Sequence, residues 1–141
     1  MQLSKFTDYA FRALIYLGNN NDRLCTVEEL ARELVTSPHH MKKVIHKLSV
    51  LGYIESSKGR MGGIRLASKP DEINLGEVLQ KTEENLNLYE CFQDMGCPLL
   101  NGGCRLKGIT QVALKSFLEE YSHHTLEELL ESTAKEEKRR K

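Results

Sequence analysis

The stretch "SPHHMKKVIHKLSVLGYIESSKGRMGGIRLAS", residues 37–68, decides the fold. Ser37 and Pro38 have the character of a helix N-cap and a first helical position. Met41, Val44, Ile45, Leu48 and Leu51 then fall on one apolar stripe that ends at Gly52, which predicts a helix with a single buried side. "YIESS" and "GIRLAS" follow as two short strands, joined by "KGRMGG", a tip rich in glycine and cations.

Upstream of this stretch, Phe6, Tyr9, Ala10, Ala13, Leu14 and Leu17 recur at helical spacing, and Gly18 of "GNNND" is expected to end that helix in a positive-φ conformation. Thr26 and Glu29 have capping-box spacing, and Leu30, Ala31 and Leu34 supply the buried face of a short second helix. Helix, helix, turn, helix and glycine-tipped hairpin is the order of a winged helix-turn-helix, expected over residues 1–70 of a mainly α protein. Its third helix is the one that enters the major groove of DNA in such folds.

The charge pattern points the same way. The chain's formal net charge is zero, yet residues 36–66 hold six cations (Lys42, Lys43, Lys47, Lys58, Arg60, Arg65) against Glu55 alone. Residues 71–131 hold twelve acids against Lys81, Arg105, Lys107 and Lys115. The stretch that attracts a polyanion is therefore the stretch whose pattern faces DNA. His39, His40, Lys42, Lys43, His46 and Lys47 lie off the apolar stripe of the third helix.

Downstream, Asn74 caps a predicted connecting helix, "LGEVLQKTE", and a cysteine-bearing loop follows, so that residues 71–104 form a second segment. From Leu106, the positions Ile109, Val112, Ala113, Phe117 and Tyr121 repeat at helical spacing over about four turns. A helix this long needs a surface to pack on. A second copy of itself is the economical answer, and a symmetric dimer matches the half-site symmetry of helix-turn-helix operators; folding back on its own core is the alternative. Thr125 and Glu128 repeat the capping spacing before "LEELLE", closing a dimerisation segment over residues 105–131. The charged residues 132–141 are expected to form a disordered tail. No run of about 18 apolar residues is present and "MQLSKFTDYAF" lacks the layout of a secretory signal, so a cytoplasmic protein is expected.

Cys91, Cys97 and Cys104 are spaced C-x5-C-x6-C in a loop loosened by Gly96, Pro98, Gly102 and Gly103. A reducing cytosol disfavours a disulfide framework. Zinc fingers want C-x2-4-C pairs and four close ligands, which demotes zinc. No arrangement supports a catalytic cysteine, so an enzyme is not expected. Iron-sulfur clusters are commonly held by four ligands, which leaves one to find, while a thiol switch without a cluster stays open. Cys25, near the start of the second helix, reads as a small, partly buried side chain. A cluster-carrier protein would have no use for the basic helix and wing.

The motifs "MQLSKFTDYAFRALIYL", "SPHHMKKVIHKLSVLGYIESSKGRMGGIRLA", "INLGEVLQKTE", the three-cysteine loop and "YSHHTLEELL" together resemble the winged-helix iron-sulfur regulators, a family with NsrR-type, IscR-type and RirA-type branches. The resemblance covers roughly residues 1–131. IscR-type members place a histidine three residues after the last cysteine as a ligand of a 2Fe-2S cluster; here Lys107 stands there, and a protonated lysine cannot serve. RirA-type members tend to carry asparagine where this chain has Asp8 in "FTDYA". The resemblance therefore leans to the NsrR-type branch, nitric-oxide-sensing repressors. It implies a 4Fe-4S cluster held by Cys91, Cys97 and Cys104 of one subunit and Asp8 of the other, with 2Fe-2S the alternative cofactor. Read without it, Asp8 is an acid in a first helical turn, paired with Arg12 at i+4.

A homodimer on a palindromic double-stranded DNA operator is expected, with Ser37, His39, His40, Lys42 and Lys43 in or beside the groove and a wing of Lys58, Arg60, Met61, Gly62 and Gly63 reaching backbone or minor groove. Nitric oxide is the expected signal; an iron- or redox-responsive regulator of the same family, or a cluster-free thiol-switch repressor, is the alternative.

Overall fold

A computed structural model describes residues 1–89 and 104–140, the side chains of 131–137 excepted. The first helix, α1, spans Lys5–Asn19 and opens where the Ser4 hydroxyl accepts the Thr7 amide at 3.2 Å. It does not stop at Gly18 as expected. The bare α-carbon there admits a side chain from the far end of the sequence, since a Cβ would lie 2.7 Å from Leu130 Cδ1. α2 (Val27–Glu33) has the expected capping box between Thr26 and Glu29. α3 (Pro38–Val50) is capped by Ser37, whose hydroxyl accepts the His40 amide at 3.1 Å. Ala10, Ala13, Leu14, Leu17, Leu30, Met41, Val44 and Leu48 form the shared core of these helices, all 1 % exposed or less.

α2 and α3 end in the same way. After α3, the Tyr53 amide donates to the Leu48 carbonyl and the Gly52 amide to Ser49, both at 3.0 Å, with Gly52 at φ +83°. After α2, Thr36 donates to Ala31 at 2.9 Å and Val35 to Arg32 at 3.3 Å, with Val35 at φ +53°. Both are Schellman closures, but the second puts a β-branched residue where the left-handed backbone favours glycine, at a cost of roughly 1–2 kcal/mol.

The wing is an antiparallel hairpin of β1 (Ile54–Ser57) and β2 (Gly63–Leu66), in register from Ile54 opposite Leu66 to Ser57 opposite Gly63. Ile54, Ile64 and Leu66 turn inward. Gly59 takes φ +101° at the tip. A third rung, which the sequence pattern did not reveal, comes from the loop before α2. The Cys25 amide donates to Ile64 at 2.9 Å and the Ile64 amide returns the bond at 2.7 Å. Cys25 is fully buried rather than partly so.

A 3-10 turn (Pro70–Glu72) leads into α4 (Leu75–Thr82), capped by Asn74, whose side-chain oxygen accepts the Glu77 amide while its NH2 group donates to the Ser122 carbonyl at 2.7 Å. α4 packs against α5 (Arg105–Ser122) so closely that a Cβ on Gly76 would lie 2.0 Å from Ser122 Oγ. α6 (Leu126–Arg140) returns to α1, anchored by the fully buried Leu126, whose amide donates to Ile73 at 2.9 Å. The helix runs on through the charged residues expected to be a disordered tail. Glu127 and Glu128 in its first turn and Lys138, Arg139 and Arg140 in its last complement the helix dipole.

Thr110 is the one described α5 residue that is buried. The carboxyl-terminal half of α5 is held by neighbours, with the Tyr121 ring tilted against Phe117 at 5.2 Å and Phe11 at 6.1 Å between centroids. The amino-terminal half leaves Leu106, Ile109 and Val112 between 52 and 67 % exposed. Folding back thus accounts for half of the helix and leaves the other half uncovered.

Candidate nucleic-acid interface and metal centre

His39, Lys42, Lys43, His46 and Lys47 stand exposed along α3, with Ser37 exposed at its start. Lys58, Arg60 and Met61 are exposed at the wing tip, where Gly62 must be glycine because a Cβ would meet the Ser57 carbonyl oxygen at 2.1 Å. Among the described residues, none of Lys42, Lys43, Lys47, Lys58 and Arg60 makes an ion pair. Arg65, in contrast, is neutralised by Glu55 across the hairpin at 2.5 Å, and Lys81 pairs with Glu77. The uncompensated cations stand exposed on α3 and at the wing tip. That is the arrangement a phosphate backbone recognises.

His40 departs from its expected place beside the groove. Adjacent to the buried Met41, it turns edge-on to Tyr9 at 5.2 Å and Phe6 at 6.5 Å between ring centroids. Its Nε2 is enclosed and has no hydrogen-bond partner among the described residues. The imidazole joins α1 to α3.

Of the three loop cysteines, Cys91 and Cys97 lie outside the described residues. Cys104 occupies the N-cap position of α5, a free, half-exposed thiol that makes no capping hydrogen bond. Its sulfur is available as a ligand. Asp8 sits in the first turn of α1, where it accepts from Arg12 Nε at 2.9 Å, the pairing expected from spacing alone. Among the described residues no group of three or more Cys, His, Asp or Glu converges to hold a metal.

Asp8 also lines a cavity of about 760 Å³ with Leu3, Phe11, Tyr121, Glu128 and Leu129. Residues more than a hundred positions apart build it, so no local pattern could have revealed it. On its edge His124 bridges Glu128 at 2.5 Å and Glu120 at 3.1 Å, and hydrogen bonding to Glu120 and Glu128 raises the imidazole pKa.

A winged helix-turn-helix that presents unpaired cations on its third helix and wing defines a DNA-binding transcription regulator. The chain belongs to the Rrf2 family, whose model, described as iron-dependent transcriptional regulator, matches residues 3–132. It is 45 % identical to the HTH-type transcriptional regulator NsrR of Shouchella clausii (strain KSM-K16), over 92 % of this chain and 89 % of that protein. It is 37 % identical to the HTH-type transcriptional regulator NsrR of Bacillus subtilis (strain 168), over 94 % and 92 % respectively. The expected NsrR-type branch is thus borne out by the names these relatives carry. Among solved structures, T. potens IscR superposes with a TM-score of 0.77 at 20 % identity, covering 94 % of this chain and 88 % of that one. CymR, the global cysteine regulator of B. subtilis, gives 0.74 at 21 %, covering 94 % and 98 %. At these identities the two structures show the winged-helix fold. No helix among the described residues is long and apolar enough to cross a membrane.

Proposed function

We propose that the chain is a cytoplasmic, homodimeric repressor that releases a palindromic operator when nitric oxide reaches a 4Fe-4S cluster. Cys91, Cys97 and Cys104 of one subunit and Asp8 of the other would hold that cluster. Bound there, it supplies irons that react with nitric oxide. The observation that carries the proposal is the position of α1. Its Asp8 borders the cavity beside α5 and α6, while Phe6 and Tyr9 on the same helix clasp His40 of α3.

Asp8 would be a carboxylate among thiolates and therefore the most weakly held ligand. Arg12 is its competing partner. A change in the hold on Asp8 would move α1, and His40 would carry that movement to the reading helix. The uncovered Leu106, Ile109 and Val112 are the seam on which two α5 helices meet, and the spacing of the two α3 helices follows from that seam. DNA affinity falls when the released state holds them at the wrong separation.

Native mass spectrometry of protein purified without oxygen tests the reading. A dimer carrying one 4Fe-4S cluster per chain is expected; 2Fe-2S, zinc or an empty protein overturns the assignment of Asp8. On the DNA side, Lys42→Ala and Lys43→Ala should each weaken binding and reduce the salt slope by about one, the signature of a lost phosphate contact. Unchanged affinity and slope would overturn the docking.

A further inference from the structure

Val35 is anomalous in two independent ways. Its backbone lies in the left-handed region, at the position of the α2 closure where the matching closure of α3 has Gly52. Its side chain is 86 % exposed, so the isopropyl group gains nothing from burial in compensation. A valine at φ +53° that were packed in the core would be explained by the core, and an exposed valine in an ordinary conformation would need no explanation. The Schellman closure of α2 accounts for the left-handed backbone but not for an exposed β-branched residue in it, and backbone strain of this kind concentrates where a protein meets its ligand.

The surroundings identify that ligand. Val35 stands two residues before Ser37, the cap of the reading helix, and in a helix-turn-helix the amino end of that helix is the part that approaches base edges. The nearest acid in sequence, Glu33, is paired with Arg32 at 3.5 Å, which offsets its charge beside a phosphate backbone. The unpaired Lys42 and Lys43 share the helix that Val35 introduces.

We infer that Val35 is a further DNA-contacting residue, whose two methyl groups pack on the CH surface of the operator, either a thymine methyl or a deoxyribose, beside the amino end of α3. The inference rests on the proposed docking of α3 in the major groove. The left-handed backbone aims the side chain outward, and a glycine there would relax the turn but leave the groove wall untouched.

The test uses the full-length dimer and the duplex that the wild-type protein selects from a randomised DNA pool. Val35→Gly should melt at a higher temperature than wild type yet bind that duplex about tenfold more weakly, the size expected for withdrawing two methyl groups from an apolar contact. Val35→Ala, which keeps the Cβ and its strain, should show weakened binding without the gain in melting temperature. Neither variant should alter the salt slope, because no phosphate contact is lost. Replacing thymines by uracil one at a time separates the two surfaces. A loss at one position that disappears in Val35→Ala assigns the thymine methyl; uniform tolerance alongside a weakened Val35→Ala assigns the sugar. Wild-type affinity in both variants overturns the inference. Lys42→Ala and Lys43→Ala measured in the same assay keep the two readings apart: if the lysine variants bind weakly and the Val35 variants do not, only the Val35 contact fails, whereas unchanged binding in all four removes the docking on which it rests.

Discussion

The Glu29 carboxylate collects hydrogen bonds from three parts of the chain. Arg23 donates to both of its oxygens, Tyr16 donates its hydroxyl at 2.6 Å, and the Thr26 amide completes the capping box at 3.4 Å. Arg23 above all, and then Tyr16, hold the Glu29 carboxyl at about 2, well below its ordinary 4.5. The Glu29 carboxylate in turn pushes the Tyr16 hydroxyl up. A carboxyl depressed on folding contributes stability that is complete above its unfolded pKa and fades as pH falls towards the folded one, so the window here is about 4.5 down to 2. The Glu29 side chain is only 16 % exposed but Arg23 is 45 % exposed, and discounting for solvent leaves a contribution of about 2 kcal/mol. Glu29→Gln should lose that much at pH 6 in urea titrations, with the gap from wild type narrowing as pH drops from 4 towards 2. A gap independent of pH would show that the charge of Glu29 is not what stabilises the site. At this scale the sequence was half legible. Capping spacing gave Thr26 and Glu29, whereas Tyr16 reaches Glu29 across 13 positions, which no local spacing announces. Nothing in "VT" announces the left-handed Val35.

At the scale of elements, periodicity located the start of each α-helix among the described residues, and both wing strands, because each buries one regular face. It was poorer at ends and crossings, which tertiary packing sets. Gly18 reads as a helix stop but is a notch for Leu130, and Gly76, which no local pattern singles out, is the point where α4 meets α5. A methyl group at position 76 would press on Ser122 Oγ and Cα, a backbone atom that cannot swing aside. Gly76→Ala should therefore cost about 2 kcal/mol despite alanine's better helix propensity, read as a lowered melting temperature. A gain in stability would mean that the two helices slide apart freely. The charged residues 132–140 illustrate the same limit from the other side. Composition alone pointed to a disordered tail, while Glu127 and Glu128 in the first turn of α6 and Lys138, Arg139 and Arg140 in its last suit a helix that runs through it.

For the molecule as a whole, the order of elements carried the fold and the segregation of charge carried the reading face, since both are properties of sequence order. The cavity beside Asp8 and the clasp of His40 by α1 were not legible, because both are built from segments distant in the chain. The apolar seam on α5 was legible in part: Ile109 and Val112 were on the predicted stripe, but only the structure separates its covered half from its bare half. If that bare half joins two subunits, Ile109→Glu with Val112→Glu should convert a dimer to a monomer in sedimentation experiments while leaving the melting of the winged-helix unit intact. Operator binding should fall with it, because one reading head loses the second head's contribution. A double variant that sediments as wild type would place the subunit contact elsewhere.

Cys25 gives the molecule a division of labour among its thiols. Its backbone is a rung of the wing, its side chain is 1 % exposed, and burial pushes its thiol pKa up, so little reactive thiolate forms there. Cys104, half exposed at the mouth of α5, is open to small reagents. A thiol-directed reagent that reaches Cys104 therefore finds no matching target at Cys25, and a modification at the mouth of α5 leaves the wing's own rung untouched.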